Sequence, residues 1–377
     1  MQTQIHKFRF ILAVIVILPI LFGWRVTPAS ANTGEELLQD DEEKIRAVID
    51  AYFTIRYEAR ISQTEADFSS VTLASEPKYQ AWLQHEREHE QLQLYQDRAS
   101  NTEYLKYEFS LDYQAIEING DNAVVKLLEG NWIYRTNRPS LPSGMANREH
   151  TIILKKVDKQ WLIVSDQYYD DIMKALDSAS MEELQENIIK NSKPVSDAFI
   201  NEDKPVPEQP LSLRSTYNGA STLAYTAIWW NGINPTYDDA GLDCTNFASQ
   251  AIYEGTYQTM SDGRDYFVDW YYDFYDHSGS VPWISVGPFF TFLTTNTGKG
   301  PYGYATSDHL CALYPGDVIT MKAGTSWQHT VVVRSLVECH DPAQVYVDAH
   351  DEDHYSRSLS EYSMFSWEGI HIQGYNP

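Results

Sequence analysis

The chain holds 377 residues, with 28 basic and 53 acidic side chains and a net charge of −25 at pH 7. So acidic a protein is repelled by phosphate backbones and by anionic membrane surfaces, which argues against nucleic acid and lipid as partners. Its length exceeds the ~100–200 residues of one domain, so two are expected.

Lys7 and Arg9 precede an apolar run from Phe10 to Phe22, and Ala29-Ser30-Ala31 offers small residues of the cleavage-site type. Residues 1–31 therefore read as a secretory signal peptide, too short in its apolar run for the ~20 residues of a spanning helix. Membrane contact is expected only through this leader before cleavage, and the product is expected outside the cytoplasm. Without the leader's three basic residues, Lys7, Arg9 and Arg25, 25 basic face 53 acidic, a net of −28.

From Glu35 to Gln63, Ile45, Val48, Ile49, Tyr52, Phe53 and Ile55 recur on one helical face. A second helix is expected over Glu76–Arg98. It contains His85-Glu86-Arg87-Glu88-His89, which matches the spacing of a zinc helix; a solvated, all-polar face without a third ligand is the more economical reading. Alternating segments follow at Tyr104–Asn119, Ala123–Tyr134, Arg148–Val157 and Gln160–Tyr168, with turn residues at Gly120-Asp121 and Asp158-Lys159. Helices followed by long antiparallel strands make residues 32–190 an α+β unit, an N-terminal helix plus curved sheet. In shape and order it resembles the NTF2-like cone fold, which implies a binding or spacer role. A short helix over Met181–Lys190 leads to residues 191–212, rich in proline and acids, which read as a linker.

In the second half, a helical run through Ala224–Trp229 stops at Asn231-Gly232-Ile233-Asn234-Pro235. Then comes Gly241-Leu242-Asp243-Cys244-Thr245-Asn246-Phe247-Ala248-Ser249-Gln250, where Phe247, Ala248, Ala251 and Ile252 mark a helical face and Asp243 or Thr245 can cap it. Cys244 thus falls in a first turn, where free N–H groups and the helix dipole favour a thiolate. A buried structural cysteine is an equal reading of this segment alone. Tyr266–Phe292 reads as an aromatic loop. Pro315-Gly316-Asp317-Val318-Ile319 turns into a strand, and His329-Thr330-Val331-Val332-Val333 is a buried strand opening on a histidine. Pairing Met321 with His329 in a hairpin would, continued outward, bring Cys311 opposite Cys339, leaving Cys244 as the free thiol.

The residues Asp243-Cys244-Thr245-Asn246-Phe247 with Ser249-Gln250, the later Gly316–Ile319, and Trp327 with His329–Val333, in that order, resemble the family called putative amidase domain. Its members are exported bacterial proteins distantly similar to the NlpC/P60 and CHAP cysteine peptidases. The resemblance covers about Tyr217 to the C-terminus. It implies a papain-like α+β domain over 213–377, a nucleophile at Cys244 and a base at His329. It also implies a polar residue on the strand after the base, for which His350 is first choice and Asp348 and Asp351 are substitutes. The chemistry agrees, since a thiolate needs an imidazole partner and that imidazole an orienting group. The Cys244 N–H with Asn234 or Tyr237 could hold an oxyanion, although turn chemistry is the plain alternative for Asn234 before Pro235. Asp243 reads as a cap or loop partner.

The expected function is a secreted cysteine amidase or peptidase, with cell-wall peptides or peptidoglycan as the implied substrate and no cofactor or metal. A non-catalytic wall or glycopeptide binder is the alternative. A metal hydrolase using Cys244, His329 and His350, or His85 and His89, is a lesser one because the ligands lack clustered spacing.

Overall fold

A computed structural model describes residues 33–73, 76–193, 215–238 and 243–377. The leader expected over 1–31 and most of the linker expected over 191–212 lie outside these residues. Glu42–Pro377 form one compact unit; of the other, Met1–Asp41, only the stretch from Thr33 is described. Among the described residues no helix is long and apolar enough to cross a membrane.

Helix α1 (Thr33–Ser62) buries Ile45, Ile49, Tyr52 and Phe53, as their spacing demands, against a sheet of β1 (Tyr104–Asn119), β2 (Asn122–Arg135), β3 (Arg138–Val157) and β4 (Gln160–Gln167). At the β3–β4 turn, Asp158 and Lys159 both take positive φ, the conformation whose twist suits a two-residue hairpin. Strand β3 starts ten positions earlier than the alternation suggested. The added stretch contains Pro139, Pro142 and Gly144 and reads locally as a loop, but Gly144–Ala146 find a partner far along the chain in Tyr355–Asp353.

Helix α2 (Pro77–Ala99) differs from its expectation. Its polar face is not solvated: Glu86, His89, Gln93, Gln96 and Asp97 are buried. Gln93 bonds Asp97 one turn on, but others find partners that local sequence does not display, such as Arg56 for Glu86 at 2.8 Å and Asp170 for His89 at 2.7 Å. Helix α3 (Asp171–Ser178) has no counterpart in the sequence reading. Asp170 caps it by accepting the Met173 N–H at 2.8 Å, and tertiary burial of Ile172, Met173 and Ala175 holds so short a helix. Helix α4 (Met181–Asn191) follows, capped by Ser180.

The C-terminal half comprises α5 (Gly219–Trp229), α6 (Cys244–Gly255), the two-residue strands β5 (Tyr272–Asp273) and β6 (Ser278–Gly279), α7 (Val281–Ile284), α8 (Val286–Thr295), and strands β7 (Gly300–Ser307), β8 (Val318–Ala323), β9 (Ser326–Leu336), β10 (Val345–Ala349), β11 (Asp353–Ser358) and β12 (Ser366–Asn376). The stretch read as an aromatic loop is therefore two strands and two helices. None is long enough to show a period; burial of Trp270, Tyr272, Trp283 and Phe289 fixes them. In the Gly316–Ile319 turn, Gly316 has φ +99, and a Cβ there would lie 2.5 Å from the Gly219 Cα. Asp317 accepts hydrogen bonds from the Tyr314 N–H, the Ile372 N–H and His371 Nδ1. That turn is a brace between strands.

One ten-stranded antiparallel sheet runs β1-β2-β3-β11-β10-β9-β8-β12-β7, with β4 also on β3. The halves either side of the expected linker thus share a sheet through β3 and β11. They also share a core: Leu92 of α2, Ile172 and Ala175 of α3, and Leu184 and Ile188 of α4 pack with Ile319, Met321, Val331, Val333, Val345 and Val347. The opposite face of β8, β9 and β12 carries α5, α6 and α8 through Val318, Val332 and Ile370. Met321 pairs with His329, the register expected, and Cys311 is disulfide-bonded to Cys339 with a Cα separation of 4.9 Å. Cys244 is the free cysteine.

The interior of the N-terminal half is charged, and that sets a pH dependence. Burial pulls His150 and His89 down, but the carboxylates of Asp166 and Asp170 outweigh it and hold them at about 9 and about 10. Glu129 is pushed up by burial yet drawn down to about 2 by His150 and Arg148. Glu352 is raised by burial, with Asp171 and Asp170 against Arg148, to about 7. Glu129, depressed in the fold, adds stability above its ordinary 4.5 that is lost as pH falls through 2. Glu352 and the histidines, raised in the fold, add stability that is lost as pH rises, through 7 for Glu352 and through 9–10 for His150 and His89. The melting temperature measured by circular dichroism is expected to peak at about pH 5 and fall on both sides, with His150→Gln flattening the alkaline limb. A curve flat from pH 5 to 9 would contradict this network's role.

Candidate active site

Helix α6 is buried along almost its whole length, and its motif residues are spent on holding it there. Asn246 Oδ1 accepts from Trp283 Nε1 at 2.7 Å, Ser249 Oγ donates to the Trp283 carbonyl at 2.8 Å and accepts from Trp270 Nε1 at 3.0 Å. Gln250 takes the Tyr225 hydroxyl. Thr245 meets Thr330 of β9, hydroxyl to hydroxyl, at 3.0 Å. These contacts fix the first turn of α6 against the start of β9 and so bring Cys244 to His329.

The Cys244 sulfur, a ring nitrogen of His329 and a carboxylate oxygen of Asp351 all lie within 4.8 Å of one another. The structure therefore assembles Asp351, which the sequence reading ranked as a substitute. Cys244 is 4% exposed and His329 0%. Burial pushes the thiol up to about 12, with Asp351 adding to the rise; Lys174, the Thr245 hydroxyl and the Thr330 N–H oppose it. The depressed thiol expected of a helix start is thus reversed in this closed arrangement, because desolvation outweighs the dipole. Burial likewise lowers His329, against the charge of Asp171. Both partners are held neutral.

His350 stands elsewhere than expected. Its Nδ1 lies 2.5 Å from Asp243 Oδ2 and its Nε2 2.6 Å from the Trp229 carbonyl, so both nitrogens are engaged away from His329. The ring stacks on Phe247 at 3.9 Å. Burial lowers it, but bonding to Asp243 outweighs this and raises its pKa, as suits an imidazolium donating from both nitrogens. Asp243 makes no side-chain cap; its carboxylate joins His350 and Asn246, clamping the residue before the thiol. Asp348, the other substitute, is bound to Arg334, Thr226 and the Ser356 N–H. Asn234 closes its own turn by accepting from the Thr236 N–H, and its amide donates to the Tyr225 hydroxyl. Tyr237 is 6% exposed among Tyr272, Phe274 and Trp283. Turn chemistry and aromatic packing account for these two positions. His85 and His89 do not form a pair either: His89 turns inward to Asp170, and His85 sits 3.9 Å from Glu88 with a half-exposed side chain.

Two residues at the site came with no sequence signal. Lys174 Nζ on α3 lies 3.4 Å from Asp351 Oδ2 and 3.7 Å from Asp171 Oδ1, so the N-terminal half reaches into the thiol site. An acid at a helix start reads as a cap, and a lysine one turn on as solvated charge; nothing local marks either. Beside the site, Asp243, His350 and Asp351 border an open cleft of about 820 Å³ that Arg148, Tyr168 and Tyr169 also line.

A helix-borne thiol thus stands beside a strand-borne imidazole and a carboxylate within an α+β fold. Residues 216–375 match the family model described as Putative amidase domain, a description that suggests amide hydrolysis for this part of the chain. No curated protein matches the chain.

Proposed function

We propose that the protein is a secreted, cysteine-dependent amidase or peptidase that cleaves amide bonds of cell-wall peptides through an acyl-thioester on Cys244. The observation that carries this is the convergence of Cys244, His329 and Asp351 within the family-matched region. The Cys244 proton passes to His329, and sulfur attacks the carbonyl carbon. The C–N bond breaks as the imidazolium returns that proton to the leaving amine. Neutral His329 then takes a proton from water, the resulting hydroxide attacks the thioester, and the acid leaves as the thiol is restored. The cleft along His350 and Asp351 is the route by which substrate would reach the sulfur. Opening there relieves the desolvation that keeps the pair neutral.

The burial of Cys244 favours a second reading, a non-catalytic wall or glycopeptide binder with an inert thiol. The rate of iodoacetamide alkylation of Cys244 against pH separates the two. A hydrolase is expected to show a midpoint well below the ~8.5 of a free thiol, moving up in His329→Ala. Slow alkylation, with no midpoint below ~8.5 and no effect of His329→Ala, would establish the binder.

A further inference from the structure

The pair at the thiol site lacks an orienting group for the imidazole. His329 is fully buried, and neither Nδ1 nor Nε2 has a hydrogen-bond partner. A buried donor left in this state is unfavourable, so an acceptor is to be sought nearby. Such an acceptor exists. Asp171, also fully buried, has Oδ2 held by Arg357 Nη1 at 2.8 Å, while its Oδ1 accepts no hydrogen bond.

The two share neighbours. Ile172 and Ala175 of α3 pack in the same cluster as Val331, which lies two positions beyond His329 on the same face of β9. The Tyr362 ring lies 5.5 Å from the His329 ring, and Arg357, the residue that holds Asp171, lies over Tyr362 at 4.3 Å. Lys174 ties Asp171 to Asp351, itself within 4.8 Å of His329. Asp351 already has Lys174 on its Oδ2, and His350 is engaged with Asp243.

We propose that Asp171, on α3 of the N-terminal half, is the positioning residue of the thiol site: its Oδ1, which carries no hydrogen bond in the resting arrangement, is the acceptor that takes the N–H of His329 when Cys244 ionises, holding the ring and stabilising the imidazolium. This rests on the thiol-hydrolase reading of Cys244 and His329. The charges agree with it. Burial drives Asp171 upward, but His329 first, then Lys174 and Arg357, hold it well below the usual carboxylate range, and Asp171 is foremost among the groups that support the His329 proton. The groups facing His329 are Asp171 and Lys174 from α3, Asp351 from the turn after β10, and Arg357 and Tyr362 from the segment after it. The accessory half then supplies part of the catalytic apparatus, and its role exceeds that of a spacer.

The test uses the full-length protein with alkylation of Cys244 against pH, beside wild type. Asp171→Asn is expected to raise the midpoint by about one pH unit, equivalent to a tenfold weaker thiolate–imidazolium pair, with Asp171→Glu restoring part of the shift. Asp351→Asn is expected to move the midpoint the other way, because that carboxylate opposes the thiolate. A second measurement reads the imidazole directly: with histidine labelled by nitrogen-15, the His329 signal, assigned by its loss in His329→Ala, is expected to become imidazolium at a pH about one unit lower in Asp171→Asn than in wild type. An unshifted Cys244 midpoint in folded Asp171→Asn, or an unshifted His329 titration, overturns the assignment. Failure of the underlying reading looks different: wild-type Cys244 itself titrates at or above the free-thiol value, while the His329 titration still reports whether Asp171 supports its proton.

Discussion

Cys244→Ala is expected to remove amide hydrolysis, by roughly 10⁴-fold or more in kcat, and to leave the fold intact. The nucleophile acts as a unit with its base, so His329→Ala should cost nearly as much and the double variant little more. The structural cost is small by comparison. Cys244 is 4% exposed and its sulfur is hydrogen-bonded to the Thr245 hydroxyl and the Thr330 N–H, so removing it forfeits about 1–2 kcal/mol of packing. The α6 anchors, from Asn246 to Trp283 and from Ser249 to Trp270, remain in place. Product release from cell-wall peptides by mass spectrometry, with a thermal melt on the same samples, separates loss of chemistry from loss of structure. An acyl adduct on Cys244 in acid-quenched wild type would be the direct sign. Retained turnover in a folded Cys244→Ala protein would remove Cys244 from the reaction.

The second large effect concerns the isolated C-terminal half. A polypeptide of residues 213–377 is expected not to fold cooperatively, although it spans the whole family match. It would lose the partner of β11 and leave that strand as an open edge. It would also uncover the sheet face that Leu92, Ile172, Leu184 and Ile188 now bury. At about 1.5–3 kcal/mol for each large apolar side chain, the four contribute roughly 6–12 kcal/mol, comparable with the whole stability of an ordinary domain. The expected result is dye binding to exposed apolar surface and no sharp thermal transition. A cooperative melt near that of the full chain would show instead that the second half carries its own core.

What the sequence determined was local or nearly so. The face of α1 follows from the spacing of Ile45, Ile49, Tyr52 and Phe53, and the hairpin register from the apolar strands around Met321 and His329; the Cys311–Cys339 bond forms beyond the paired residues of that hairpin. Cys244 at a helix start was legible because caps are short-range signals; His329 was legible as part of an apolar strand, although β9 begins three residues earlier, at Ser326. The tertiary structure decided what no neighbour along the chain can specify. Only folding shows that His350 is taken by Asp243 and Trp229, that the polar face of α2 is buried because Arg56 and Asp170 come to meet it, and that Lys174 of α3 reaches the carboxylate beside the thiol. Burial set the charge state as well. A first-turn cysteine should ionise easily, yet desolvation lifts its thiol to about 12. The physical reason is common to all of these. Helix and strand patterns are set by residues three or four positions apart, whereas partners for buried charge come from segments such as Asp171 and Asp351, brought together only by the shared sheet and core.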